Sequence, residues 1–207
     1  MIKAIIFDVG GVLIRTEDHV YRRRWEEKLG LQTGEAEEIV FNSVTGQKAQ
    51  RGEISDEALW TWIGDRLKLG RRLDAFKNDF WAGDVLDEEL IAFIRSLKPA
   101  YQTAVISNAT DGLHDSLAEL GIEDAFDVII GSASEQIMKP DPAIYQRALD
   151  ALGRRAEETV FIDDFQRNVD GARALGMKAI LYRPGMNIEM ELNNLGVGTP
   201  GDKENKS

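Results

Sequence analysis

Four short stretches of the 207-residue chain carry side chains that could do chemistry together. Asp8 follows the apolar run Ile5-Ile6-Phe7 and precedes Gly10-Gly11. Ser107-Asn108 follow Val105-Ile106, and Asp163-Asp164 follow Val160-Phe161-Ile162. Lys139 stands in Met138-Lys139-Pro140-Asp141-Pro142. Two adjacent carboxylates at the end of an apolar run repel each other in a half-buried place, so a cation or a lysine is expected beside them. Oxygen donors without thiolates point to Mg2+. A hydroxyl and backbone N–H groups at a strand end can hold phosphate oxygens. Each position also has a plainer reading: a strand-ending Asp, a helix N-cap, a solvated lysine. The glycine pair is not a phosphate loop of a known kind, because neither a Walker lysine nor a third Rossmann glycine follows.

These positions need a scaffold that brings them together. Short, nearly continuous apolar runs at 2–7, 103–106, 128–130, 160–162 and 179–182 predict strands covered on both faces. Helical patterns at 88–97, 112–120, 142–152 and 168–175 separate the later strands. Such alternation predicts an α/β fold: a Rossmann-like three-layer core with a central parallel sheet. Open parallel sheets carry their functional groups beyond the carboxyl ends of the strands. Asp8, Ser107-Asn108 and Asp163-Asp164 all fall at such ends. Between Leu13 and Val85 no strand is expected, only helical patterns at 18–29, 35–44, 56–67 and 73–80. The predicted organisation is a core of 1–15 and 87–195, a helical insert of 16–86 and a flexible tail of 196–207.

Composition narrows the classes. A net charge of −11 argues against sequence-independent nucleic-acid binding. No apolar run approaches a membrane span, and the start leads directly into a strand-like run, so neither a membrane segment nor a signal peptide is expected. The absence of cysteine excludes disulfides and thiolate metal sites and fits a cytoplasmic location. The two histidines, His19 and His114, leave little for a zinc site. Trp25, Trp60 and Trp62 are expected as the core of the insert. Arg22, Arg23, Arg24 and Arg51 are expected mostly as solvated charges.

In order along the chain, Ile6-Phe7-Asp8-Val9-Gly10-Gly11-Val12-Leu13, Val105-Ile106-Ser107-Asn108, Met138-Lys139-Pro140 and Phe161-Ile162-Asp163-Asp164 with Asn168 and Gly171-Ala172 resemble the four motifs of the haloacid dehalogenase (HAD) superfamily. The insert resembles its C1 cap. The Arg51-Gly52-Glu53-Ile54-Ser55 run resembles small phosphatases of the glucose-1-phosphatase type and the phosphatase domain of soluble epoxide hydrolase. The resemblance implies a Mg2+-dependent phosphatase of small phosphorylated metabolites, monomeric or homodimeric. Asp8 would be the nucleophile that forms an aspartyl-phosphate. Asp8, the Gly10 carbonyl, Asp164 and Asp163 would hold the metal. Ser107, Asn108, Lys139 and Gly11 would hold the phosphoryl group, with Lys139 and Ser107 catalytic.

One departure stands out. The usual phosphatase pattern has a second aspartate two residues after the nucleophile, as general acid and base, and here that residue is Gly10. Such help is typically worth about 10²–10⁴-fold. The leaving group could be good enough to depart unassisted, as from an anomeric sugar phosphate or an acyl phosphate. Another residue could supply the proton, His19 near the hinge included. A dehalogenase, or a catalytically weak binding protein on the same fold, are the alternative readings. A receiver-type phosphoacceptor carries its acid pair on the first strand, the reverse of the order here.

Overall fold

The computed structural model describes residues 1–98 and 100–198. Its centre is a five-stranded parallel sheet in the order β5-β4-β1-β6-β7. The strands are β1 (Ala4–Phe7), β4 (Gln102–Ser107), β5 (Val128–Gly131), β6 (Thr159–Asp163) and β7 (Lys178–Leu181). Phe7 lies level with Val105 on one side and Ile162 on the other. The pleat alternates side chains between faces. Ile5, Phe7, Val105, Val160 and Ile162 therefore pack under α6 (Glu88–Leu97), α7 (Leu113–Glu119) and α11 (Ile188–Asn194). Ala4, Ile6, Ala104, Ile106 and Phe161 pack under α9 (Pro142–Leu152) and α10 (Gln166–Ala174).

Local chemistry sets the helix ends. Asp87 caps α6 by accepting from the Leu90 N–H at 2.9 Å, with Glu88 and Glu89 in the positive first turn. Asp141 caps α9 by accepting from Ala143, Pro142 opens the helix, and Gly153 closes it in the left-handed conformation. That entry fixes where the preceding Lys139 leaves the loop.

The insert is helical: α1 (Val20–Leu29), α2 (Glu35–Glu37) running into a π-helical turn (Glu38–Asn42), α3 (Val44–Gln50), α4 (Asp56–Arg66) and α5 (Leu73–Trp81). It has its own core, in which Trp25, Trp60, Phe76 and Phe80 are buried and Trp62 packs on the margin. The expectation of no strand before Val85 is corrected at both ends. β2 (Ile14–Thr16) and β3 (Asp84–Leu86) pair antiparallel and form the stalk between core and insert. Three half-buried residues are too few to show a period of two in sequence. The helix pattern at 35–44 proves to be broken at Ser43, whose hydroxyl caps α3 by accepting from Gly46. α8 (Ser132–Glu135) and α11 also lie beyond the predicted elements. Two residues of the expected flexible tail are held in place: Val197 is buried and the Gly198 N–H donates to the Tyr101 hydroxyl at 3.3 Å. Residues 199–207 of the expected tail lie outside the described residues.

Candidate active site

The pleat explains the first contact in the site. Asp8 and Asp163 each follow a residue that faces α6 and α7, so both point to the α9 side, from which the Lys139 loop enters. Lys139 Nζ stands 2.8 Å from Asp8 Oδ1 and 2.7 Å from Asp163 Oδ2. Its side chain is 1% exposed and that of Asp163 0%. A buried ammonium is stable only when its charge is paired, and here two carboxylates accept from two of its three N–H donors.

Asp163 has no spare oxygen. Its carboxylate accepts from Lys139, from Asn168 Nδ2 at 3.0 Å to each oxygen, and from the Phe165 N–H at 2.8 Å. Asn168 is itself anchored, because the buried Tyr145 hydroxyl donates to its carbonyl at 2.8 Å. Asp164 differs: its Oδ1 is buried and has no hydrogen-bond partner among the described residues. The carboxylates of Asp8, Asp163 and Asp164 offer oxygens within 4.8 Å of one another. Three acids face one lysine, so the cluster has excess negative charge. Burial pushes the Asp8 carboxyl up to about 7 against the pull of Lys139, and the Asp163 charge adds to the rise. Burial, then the Asp163 charge, also raises Asp164. An orphaned buried oxygen, an oxygen-only donor set and surplus negative charge fit a hard divalent cation.

The two glycines divide. Gly11 has φ +79°, and a Cβ there would collide with the Asp164 carboxylate, so only glycine lets that acid lie over the loop. Its N–H donates to the Ile14 carbonyl at 2.8 Å. The Gly11 donor is thus used within the turn. Gly10 has neither constraint: a Cβ there would meet nothing within 4 Å.

Ser107 is buried at the end of β4, and no hydrogen bond of its hydroxyl is formed among the described residues. The Asn108 side chain shapes the loop: its Oδ1 accepts from the Lys139 N–H at 2.8 Å and its Nδ2 donates to the Lys139 carbonyl at 3.1 Å. The next residues fasten the insert. Thr110 donates to Asp56 Oδ1 at 3.1 Å, the Asp56 N–H donates to Asp111 at 2.9 Å, and Ser132 donates to the Gln50 carbonyl at 2.6 Å. Sequence reasoning missed this fastening and the Tyr145 anchor, because no spacing links such distant residues. Arg22, expected among solvated charges, is 6% exposed and holds the foot of the insert. His19 is 53% exposed and faces Glu37 at 3.7 Å, while His114 faces Glu123.

Residues 2–176 match the family model of haloacid dehalogenase-like hydrolases. The chain belongs to that family. It is 30% identical over 196 residues to a sesquiterpene phosphatase of Aspergillus oryzae, covering 93% of this chain and 96% of the relative. It is 39% identical over 97 residues to bifunctional epoxide hydrolase 2 of mouse, covering 44% of this chain and 18% of that protein. Among solved structures, a HAD family enzyme of Bacteroides thetaiotaomicron in complex with magnesium and inorganic phosphate superposes with a TM-score of 0.75 at 23% identity. The match covers 92% of this chain and 99% of that one. The L-2-haloacid dehalogenase of Xanthobacter autotrophicus shares the fold with a TM-score of 0.62 at 21% identity, covering 96% and 85%. The HAD chain described here is thus a hydrolase of the phosphatase kind, with the insert in the place of the family's cap.

Proposed function

We propose that this HAD hydrolase is a Mg2+-dependent phosphatase of small phosphorylated metabolites, of the sugar-phosphate type, working through an aspartyl-phosphate on Asp8. The observation that carries the reading is the Lys139 ammonium fixed between Asp8 and Asp163 beside the unpartnered Asp164 oxygen. Asp8, Asp164 and the Gly10 carbonyl would hold the ion, with Asp163, its oxygens engaged, orienting Lys139 and reaching the ion at most through water. Bound there, Mg2+ would offset the repulsion between Asp8 and a phosphate dianion.

Asp8 Oδ1 accepts from the Val9 N–H at 2.7 Å and faces Lys139, so Oδ2 is the oxygen left for attack on phosphorus. As the Oδ2–P bond forms, the bond from phosphorus to the leaving oxygen breaks, and that oxygen takes the electron pair. Lys139, the Ser107 hydroxyl and the Asn108 N–H stabilise charge on the phosphoryl oxygens. Water then attacks phosphorus and restores the carboxylate. Over the cycle one water is consumed, its proton ending on the leaving oxygen and its oxygen on phosphorus. With Gly10 in place of an acid, the leaving oxygen departs without a protonating side chain from this loop. An anomeric sugar oxygen, a weaker base than an ordinary alkoxide, suits that restriction.

The test is phosphate release with Mg2+ from α-D-glucose 1-phosphate and acetyl phosphate, comparing wild type with Asp8→Asn. A loss of about 10⁴-fold or more is expected, together with acid-stable trapping of phosphate on the wild-type chain alone. Equal rates in the two proteins would refute the reading.

A further inference from the structure

Phe165 is the residue that the chemistry above leaves unexplained. It directly follows Asp164, and its N–H is held by Asp163 at 2.8 Å, so its backbone is as fixed as the acid cluster. Its side chain is nevertheless 55% exposed, whereas Phe7, Phe161 and Tyr145 around the same sheet are buried. The Arg167 guanidinium lies over the ring, 5.7 Å from its centre, which restrains it. Successive Cα atoms are about 3.8 Å apart, so the Phe165 backbone lies beside Asp164 just past the carboxyl end of β6 (Thr159–Asp163), the sheet edge that carries the acid cluster.

The surroundings select the kind of leaving group. Asp164, Gln166 and Arg167 flank the ring in sequence, and Arg183 Nη1 donates to the Asp164 carbonyl at 2.9 Å. An aliphatic tail would need continuous apolar surface. A single aromatic face with the Arg167 guanidinium beside it suits a ligand with one C–H face and hydroxyls at its edge. A pyranose has that form.

We infer that Phe165 is a specificity-determining residue, the platform on which the sugar ring of an aldose 1-phosphate lies while its phosphate sits at Asp8. This rests on the phosphatase reading and narrows it. Gly10 restricts the reaction to oxygens that leave unassisted, and Phe165 with Arg167 restricts the group behind that oxygen to a hydroxylated ring.

The experiment compares wild type, Phe165→Ala and Phe165→Tyr in kcat/KM for α-D-glucose 1-phosphate relative to acetyl phosphate, which has no ring. Covering half of an exposed phenyl ring corresponds to about five- to tenfold. The sugar-to-acetyl ratio is therefore expected to fall by about that factor in Phe165→Ala and to return in Phe165→Tyr. An unchanged ratio overturns the inference. So does a larger fall with geranyl diphosphate than with the sugar phosphate, which would assign the ring to an apolar tail. A dimer that dissociates on Phe165→Ala in sedimentation also overturns it, because a second copy would then cover the ring. Should no Asp8-dependent turnover be found, the phosphatase reading fails separately. Calorimetry on the Asp8→Asn protein still decides the ring contact, by whether adding Phe165→Ala weakens α-D-glucose 1-phosphate about tenfold relative to inorganic phosphate.

Discussion

The stalk and the sheet edge each bury a basic side chain among acids, but they treat it differently. At the stalk, Arg22 donates from Nε to the Phe80 carbonyl at 2.7 Å, from Nη1 to Glu37 at 2.6 Å and from Nη2 to Asp84 at 2.7 Å. Asp84 also accepts from Thr16 at 2.6 Å, and the guanidinium lies 4.3 Å from the centre of the Phe80 ring. Every nitrogen of the guanidinium has a protein partner, and the knot ties α1 to β3 and to the end of α5. At the sheet edge, Lys139 is held between Asp8 and Asp163, yet Asp164 keeps an oxygen without a partner among the described residues. A filled network fixes structure. An unfilled one of the same charge types has room for a partner from outside the chain, which in the function proposed above would be a cation and a phosphate.

The sharpest way to break this contrast is to remove the two bases in turn. Lys139→Met is expected to lower kcat by about 10³-fold. Arg22→Met is expected to leave turnover per folded molecule nearly unchanged while lowering stability by about 3 kcal/mol in urea unfolding. If Arg22→Met instead abolished turnover in a fully folded protein, the stalk knot would belong to the chemistry.

The glycine pair sharpens the contrast within one loop. Gly11→Ala forces a left-handed residue against Asp164, an expected loss of about 1–3 kcal/mol, with weaker Mg2+ binding by calorimetry. Gly10→Ala meets no atom and is expected within about 0.5 kcal/mol of wild type. Gly10→Asp, free to extend into the same space, is expected to raise turnover of alkyl phosphates such as glycerol phosphate by up to about 10²-fold. No gain with metal still bound would mean that the proton already comes from elsewhere.

The smallest expected effect is the pH dependence of stability without metal. Burial raises Asp8 from 3.8 to about 7. The folded state therefore keeps a proton that the unfolded state loses above about pH 4. This contribution is full below the unfolded value and is lost as pH rises through about 7. In EDTA, the melting temperature of Asp8→Asn relative to wild type should rise from pH 5 to pH 8. A constant difference would place the charged carboxylate at no cost in the fold.

Much of the core was legible because its signals are local. Continuous apolar runs marked the five parallel strands, and Asp141-Pro142 with Gly153 marked α9 at both ends. The site motifs were legible because each sits where a run of one period stops. The stalk ribbon was not, since three residues hold no period. The break at Ser43 was not, because the apolar pattern continues across it. The early end of the expected tail was misread because Val197 is one apolar residue in a polar stretch, buried by partners distant in sequence.

By itself, the order of residues determined which chemical groups this protein has for the site: a lone aspartate, a hydroxyl and an acid pair after strands, a lysine in the loop before α9, and no acid at Gly10. Those are covalent facts, and backbone preference with apolar period was enough to put them at one edge. Which acid is spent inside the protein and which is left open was decided only by the fold. Asp163 and Asp164 are neighbours of the same type, but the pleat sends one toward Lys139 and Asn168 and the other over Gly11. The same holds for Arg22 and Phe165, one drawn inside by partners from three elements and the other left exposed, because burial is a property of the packed chain and not of the residue.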